Sequence, residues 1–143
     1  MLPEIHEDTR PGTYALVLRT LGQRRIQIGR LGWLTARKGY YVYVGSAFGA
    51  GGLGGLLRHH LHPARASHWH IDFLRKAAAP IEVWYSHDPQ PLEHQWAATL
   101  RTMPGSVVPL RRFGASDCKC VAHLFFFEAP PGISEFRRRV CTS

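Results

Sequence analysis

The sequence predicts an α/β fold, α+β in detail, with a small mainly antiparallel sheet flanked by helices. Three stretches carry this reading. Thr13 to Arg19 alternates, with Tyr14, Leu16 and Leu18 on one face and Ala15 and Val17 on the other, as a strand requires. Tyr40 to Val44 has strand character and runs through a glycine-rich turn, Gly45 to Gly52, into an amphipathic basic stretch. Cys120 to Phe127 is apolar at nearly every position, which fits a strand covered on both sides.

In chain order, residues 1–11 read as a polar leader ending at Pro11. Leu21-Gly22-Gln23 turns the chain, and Arg24 to Gly29 is expected to return as the second strand of a hairpin, with Tyr40 to Val44 as the third strand. Leu53, Leu56, Leu57 and Leu61 recur at helical spacing, so a helix should lay that stripe on the sheet. The turn before it could bring backbone close to a phosphate. A loop containing Pro63 follows, and Ile71, Leu74 and Ala78 predict a second helix over His68 to Ala78, stopped by Pro80. Ile81 to Ser86 reads as a strand. Asp88-Pro89-Gln90-Pro91 leads into a helix from Pro91 to Met103, with Asp88 available as its cap. Val107 to Leu110 is a short strand or extended loop. Residues 130–143, with Arg137-Arg138-Arg139, are expected to form a peripheral basic tail, leaving 12–129 as the domain.

A chain of 143 residues with 45% hydrophobic content is the size of one domain able to bury a sizeable core. Eighteen Lys and Arg against ten Asp and Glu give a formal charge of +8, which suits a polyanionic partner, most simply nucleic acid. Three cysteines do not make a disulfide framework and point to a reducing compartment. No apolar run is long enough to span a membrane, and the first residues are too acidic for a signal peptide, so the expected location is cytoplasmic.

Gly12-Thr13-Tyr14 and Tyr43-Val44-Gly45 together resemble the paired signature of the GIY-YIG nuclease superfamily. The resemblance extends to a branch of small domains sometimes fused to endonuclease III-like DNA glycosylases. It rests on five ordered blocks: Leu31-Gly32, Gly39 to Gly52, Arg58 to His60, His68 to Leu74 and Asp117 to Phe125. It implies a Mg²⁺- or Mn²⁺-dependent DNA endonuclease, directed to a DNA structure or lesion in repair, with DNA and a possible repair protein as partners.

The same resemblance implies a site. Phosphodiester hydrolysis needs an activated water, a cation for the developing charge and help for the leaving oxygen. Tyr14 and Tyr43 would share a pocket and manage the water, although a phenol acting as base needs positive charge nearby. A cross-strand aromatic pair would account for the same residues by packing alone. Glu93 stands where the family carries its metal-binding carboxylate, a hard ligand suited to Mg²⁺; a Glu favoured by a helix N-terminus is the plain alternative. His60 matches the family's histidine on the helix after the glycine turn. The arginine expected four residues earlier is Leu56. Arg58, two residues from His60, stands about 200° away around the helix axis, so it enters as a charge-stabilising or phosphate-contacting residue and not as a direct substitute.

Arg24, Arg25, Arg30, Arg37, Lys38, Arg58, Arg65 and Arg75 could add a phosphate-binding surface around the pocket. The departure at Leu56 leaves a second reading open, a non-catalytic nucleic-acid-binding module that kept the fold. A zinc-stabilised interaction domain is a third. Against zinc, Cys118 and Cys120 are separated by one residue where structural sites use two to four, and in an extended strand His123 would point away from them. These residues and His68-Trp69-His70-Ile71-Asp72 are read instead as a buried polar network tying the second helix to the last strand.

Overall fold

A computed structural model describes residues 8–61, 69–115 and 119–142. Arg65, His68, Asp117, Cys118, the loop at Pro63, most of the polar leader and the side chain of Leu61 lie outside the described residues. The elements in order are β1 (Thr13–Thr20), β2 (Arg24–Ile28), β3 (Gly32–Ala36), β4 (Gly39–Ser46), α1 (Gly52–Leu61), α2 (His70–Leu74), β5 (Ala79–Ser86), α3 (Glu93–Thr102), β6 (Leu124–Phe127) and α4 (Ile133–Thr142). Four strands form one sheet in the order β5-β1-β4-β6, with every neighbouring pair antiparallel. The expected α+β architecture, a mainly antiparallel sheet flanked by helices, is the one observed.

The two-residue alternation of the central strands sorts the core into two layers. Tyr14, Leu16, Leu18, Tyr41, Leu124 and Phe126 face a cluster with Leu53 and Leu57 of α1 and Ile71 and Leu74 of α2. Ala15, Val17, Val42, Val44, Phe125 and Phe127 face Trp96, Ala97 and Leu100 of α3 and Phe136 of α4. Both faces of the sheet are therefore covered, which explains the unbroken apolar run at β6.

The hairpin expected between β1 and β2 does not form. Both edges of β1 are taken, by β4 and by β5, so β2 has no ladder to join there and pairs with β3, a strand the sequence reading missed. This separate two-stranded sheet lays Ile26, Ile28, Leu34 and Ala36 into the first cluster, beside α2. The second helix is also shorter than expected. Asp72 accepts from the Trp69 amide and fixes its start, while after Leu74 the chain turns and enters β5 at Ala79. Before α3, Asp88 accepts from the Gln90 amide and so closes a local turn; it does not cap the helix, which begins at Glu93.

The region read as a peripheral tail forms α4. Phe136 is buried with its ring centroid 5.1 Å from that of Trp84 and 5.2 Å from that of Trp96, a burial that contributes roughly 1.5–3 kcal/mol. Val107 makes a single antiparallel bridge to Phe126, the short extended piece expected near there. Among the described residues no helix is long and apolar enough to cross a membrane.

Candidate active site

The glycine turn places the first functional helix. Gly51 and Gly52 both have positive φ, and a Cβ at Gly52 would collide with the carbonyl oxygens of Thr9 and Arg10. Those residues lie close because they satisfy the start of α1: Leu53 donates its amide to Arg10 O at 3.0 Å and Gly54 donates to Asp8 O at 2.6 Å. The helix N-terminus is thus occupied by the chain's own carbonyls. The phosphate cradle expected from the glycines is not available at these two amides.

From that start α1 turns Leu53 and Leu57 onto the sheet and His60 toward Tyr14. Tyr14 lies opposite Gly45, and Tyr43 lies opposite Leu16, so the two tyrosines are diagonal neighbours on one face of adjacent strands. Their ring centroids are 6.4 Å apart. A Cβ at Gly45 would enter the Tyr14 ring, which gives the glycine of the Tyr43-Val44-Gly45 triplet a steric reason. Tyr14 Oη and His60 Nε2 share a buried hydrogen bond of 2.8 Å, its direction set by the imidazole tautomer.

A cavity of about 310 Å³ opens over these groups, lined among others by Tyr14, Tyr43, Ser46, Leu56, Glu93 and His123. Glu93 enters from the first turn of α3, whose start is tied to β1 because the Leu92 amide donates to Thr13 Oγ1 at 3.1 Å. Trp69 and His70 close another side. His70 Nδ1 accepts from the Gly114 amide at 2.8 Å, and His59 Nε2 meets Asp72 at 2.8 Å. The polar network expected around His68 to Asp72 therefore exists in part, binding α2 to α1 and to the segment before β6. A larger cavity of about 530 Å³, between Arg37, Phe126, Pro131 and Glu135, brings together none of the tyrosines or histidines of this constellation.

Burial holds the phenols and the His60 ring of the pocket in their neutral forms. Burial is the leading cause that pushes the Tyr14 and Tyr43 phenols above their ordinary range, with Glu93 and Asp72 adding in the same direction. Burial likewise lowers His60 to about 4 and holds His70 and His123 below the usual imidazole value. Among the described residues that line the cavity there is no Lys or Arg. Leu56 stands on the wall where the resemblance expects an arginine, and Arg58 is on an exposed part of α1 and does not line the cavity.

The basic residues expected to ring the pocket are dispersed. Arg24 donates to Lys76 O at 3.0 Å and lines a separate cleft with Arg19, Arg75 and Lys76. That cleft is at the far end of β1, five residues and roughly 17 Å along the strand from Tyr14. Arg75 donates to the carbonyls of His60 and Ala78, and Arg37 pairs with Glu128. Arg25 stacks over Trp33 at 4.4 Å. Lys38 is exposed between β3 and β4, also toward the far end. Arg30 is exposed at the β2–β3 turn, whose Gly29 packs on Phe73 of α2.

The sequence reading missed Ser46 and the place of His123 in the wall, and His94 beside it. Ser46 Oγ lines the cavity, buried and without a hydrogen-bond partner among the described residues. His123 Nδ1 and Glu93 Oε2 are 3.8 Å apart, too long for a direct hydrogen bond. Among the described residues that line the cavity, one carboxylate faces it together with the Ser46 hydroxyl, a donor set that fits a Mg²⁺-class ion, which keeps most of its waters. A family model described as a domain of unknown function, DUF123, matches residues 13–142. Comparison with curated proteins and with solved structures gives no match.

Proposed function

The chain belongs to the DUF123 family, a description that assigns no chemistry, and from the pocket we propose that it is a Mg²⁺-dependent DNA endonuclease of the GIY-YIG kind. One observation carries the reading: Tyr14, Tyr43 and Glu93, from three separate stretches of the chain, line one cavity, with His60 bonded to Tyr14 behind it. Packing alone explains a tyrosine pair, but not a carboxylate and the Ser46 hydroxyl facing the same space.

In this reading Glu93 holds the cation, which would stabilise the charge developing on the phosphate and acidify water. Tyr14 stays a neutral phenol, fixed by His60, and orients the attacking water through its hydroxyl. Tyr43 offers a second neutral hydroxyl from the adjacent strand. Neither phenol serves as a preformed phenolate base, because burial disfavours the charge. His60 sets the position of Tyr14 Oη, and a ring lowered to about 4 is a weak proton acceptor at neutral pH. Arg58 and Arg30, both exposed, contribute phosphate contacts outside the cavity.

Leu56 on the cavity wall favours a second reading, a nucleic-acid-binding module without turnover. Losing one preorganised charge-stabilising donor typically costs about 10²–10³ in rate. The test is cleavage of supercoiled, nicked, flap and branched DNA with Mg²⁺ or Mn²⁺, using the native protein, Glu93→Ala and Leu56→Arg. Metal-dependent cleavage that disappears in Glu93→Ala is the expected result. Binding without cleavage in the native protein, with activity gained in Leu56→Arg, would establish the second reading instead.

A further inference from the structure

Beside the pocket, a second group of donors converges. His94 follows Glu93 on α3, while Cys120 and His123 lie in the irregular segment that precedes β6. One ligand atom from each of the three falls within 4.8 Å of the other two, and the two imidazole centroids are 5.9 Å apart. We propose that His94, Cys120 and His123 form a zinc site with three protein ligands and one exchangeable position.

The chemistry of the donors selects the metal. Two imidazoles and a thiolate suit Zn²⁺ and reject Mg²⁺, which takes oxygen ligands. Around a tetrahedral zinc these atoms would stand about 3.3–3.6 Å apart, from bonds of about 2.0–2.3 Å. Closing from 4.8 Å needs a movement of roughly 1 Å. His94 is exposed on its helix and free to swing by its side-chain torsions. The other two ligands have a held backbone: Arg112 Nη1 donates to Cys120 O at 2.7 Å, His123 donates its amide to Phe113 O at 2.7 Å, and Val44 donates to His123 O at 2.9 Å.

The objection raised by the sequence dissolves in this geometry. Strand alternation would turn His123 away from Cys120, but regular strand begins only at Leu124, so the alternation does not govern residues 119–123. The ligand that spacing could not supply comes from α3. Cys120 carries a thiol and would bind as thiolate, releasing its proton to solvent. Zinc there would tie α3 to the segment before β6, holding the side of the pocket that carries Glu93 and His123.

The proposal is independent of the nuclease reading, since the ligands differ in class from Glu93. The experiment uses the full chain, stripped with chelator, dialysed, and loaded with Zn²⁺ or with Co²⁺ as a spectroscopic probe. One zinc per chain, a thiolate-to-cobalt charge-transfer band and tetrahedral ligand-field bands are expected. Cys120→Ser should remove the charge-transfer band, His94→Ala should reduce zinc occupancy by tenfold or more at limiting metal, and Glu93→Ala should keep both. Far-UV circular dichroism and thermal melting of each metal-free variant separate lost binding from lost folding. The proposal is overturned if the native protein takes up no zinc, if the cobalt spectrum lacks the charge-transfer band, or if Glu93→Ala loses the metal. It is equally overturned if Cys118→Ser abolishes the band while Cys120→Ser keeps it.

Discussion

The two walls of the pocket are built differently. Tyr14, Tyr43 and His60 come from two paired strands and a helix packed on them, with Tyr14 and His60 fully buried and Tyr43 partly so. Glu93 and His123 come from the first turn of a helix and an irregular segment, with His94 and Cys120 beside them outside the cavity, and three of these four retain solvent exposure. The first wall carries no charge at neutral pH and is continuous with the core. The second offers metal-ligating atoms, with His123 buried and Glu93 half-buried. The contrast teaches a division of labour: a neutral wall can fix the position of a hydroxyl, whereas on the proposed reading the other wall has to stay open to water and to a cation.

If that contrast is right, the walls respond oppositely to substitution. Tyr14→Ala deletes a fully buried ring between β1 and α1 and should cost about 3–5 kcal/mol in denaturant unfolding. A loss below about 1 kcal/mol would mean that the first wall is not core.

The next effect is a pH dependence. Burial first and His59 second lower His60 to about 4 from 6.5, with Asp72 opposing. Between those values the unfolded chain binds a proton at this histidine that the folded chain does not. Stability therefore falls as pH drops from 6.5 to about 4, and this group has no effect above that window. The full loss amounts to about 3 kcal/mol. His60→Gln should remove that share of the slope, read as the difference in unfolding free energy between about pH 7 and about pH 4.5. Parallel slopes for the native protein and the variant would show that His60 is not held neutral. Smaller again is Tyr14→Phe, which leaves the ring in place but strips His60 Nε2 of its partner; about 1–2 kcal/mol is expected.

The first wall was largely legible in the sequence and the second was not, for physical reasons. Tyr14, Leu16 and Leu18 against Ala15 and Val17 is a period of two, and the structure sorts those side chains into the two core clusters accordingly. Leu53 and Leu57 announce the helix that carries His60. Pairing partners, by contrast, are not written in local periodicity. β2 looked like the mate of β1 because it follows it, yet long-range partners occupy both edges of β1. Helix α4 was hidden because Arg137 to Arg139 dominate the composition, although Ile133, Phe136 and Val140 keep a helical spacing and pack on the second cluster. His94 carried no signal: one histidine on an exposed helical face becomes informative only when a segment some twenty-five residues later folds back on it.

The smallest stability effect is the sharpest test of the contrast. Glu93 is in the first turn of α3, where a carboxylate gains about 0.3–1 kcal/mol from the helix dipole. Its nearest ionic neighbours, His94 Nε2 and His123 Nδ1, both lie at 3.8 Å, beyond hydrogen-bonding distance. Alanine is the better helix former and returns a few tenths of a kcal/mol. Glu93→Ala should therefore change unfolding free energy by less than about 0.5 kcal/mol, even though it is the substitution expected to end metal-dependent cleavage. A destabilisation of about 2 kcal/mol or more would place Glu93 in the fold's own network. Any accompanying loss of cleavage would then report damage to the scaffold, and the carboxylate would lose its claim to be a metal ligand.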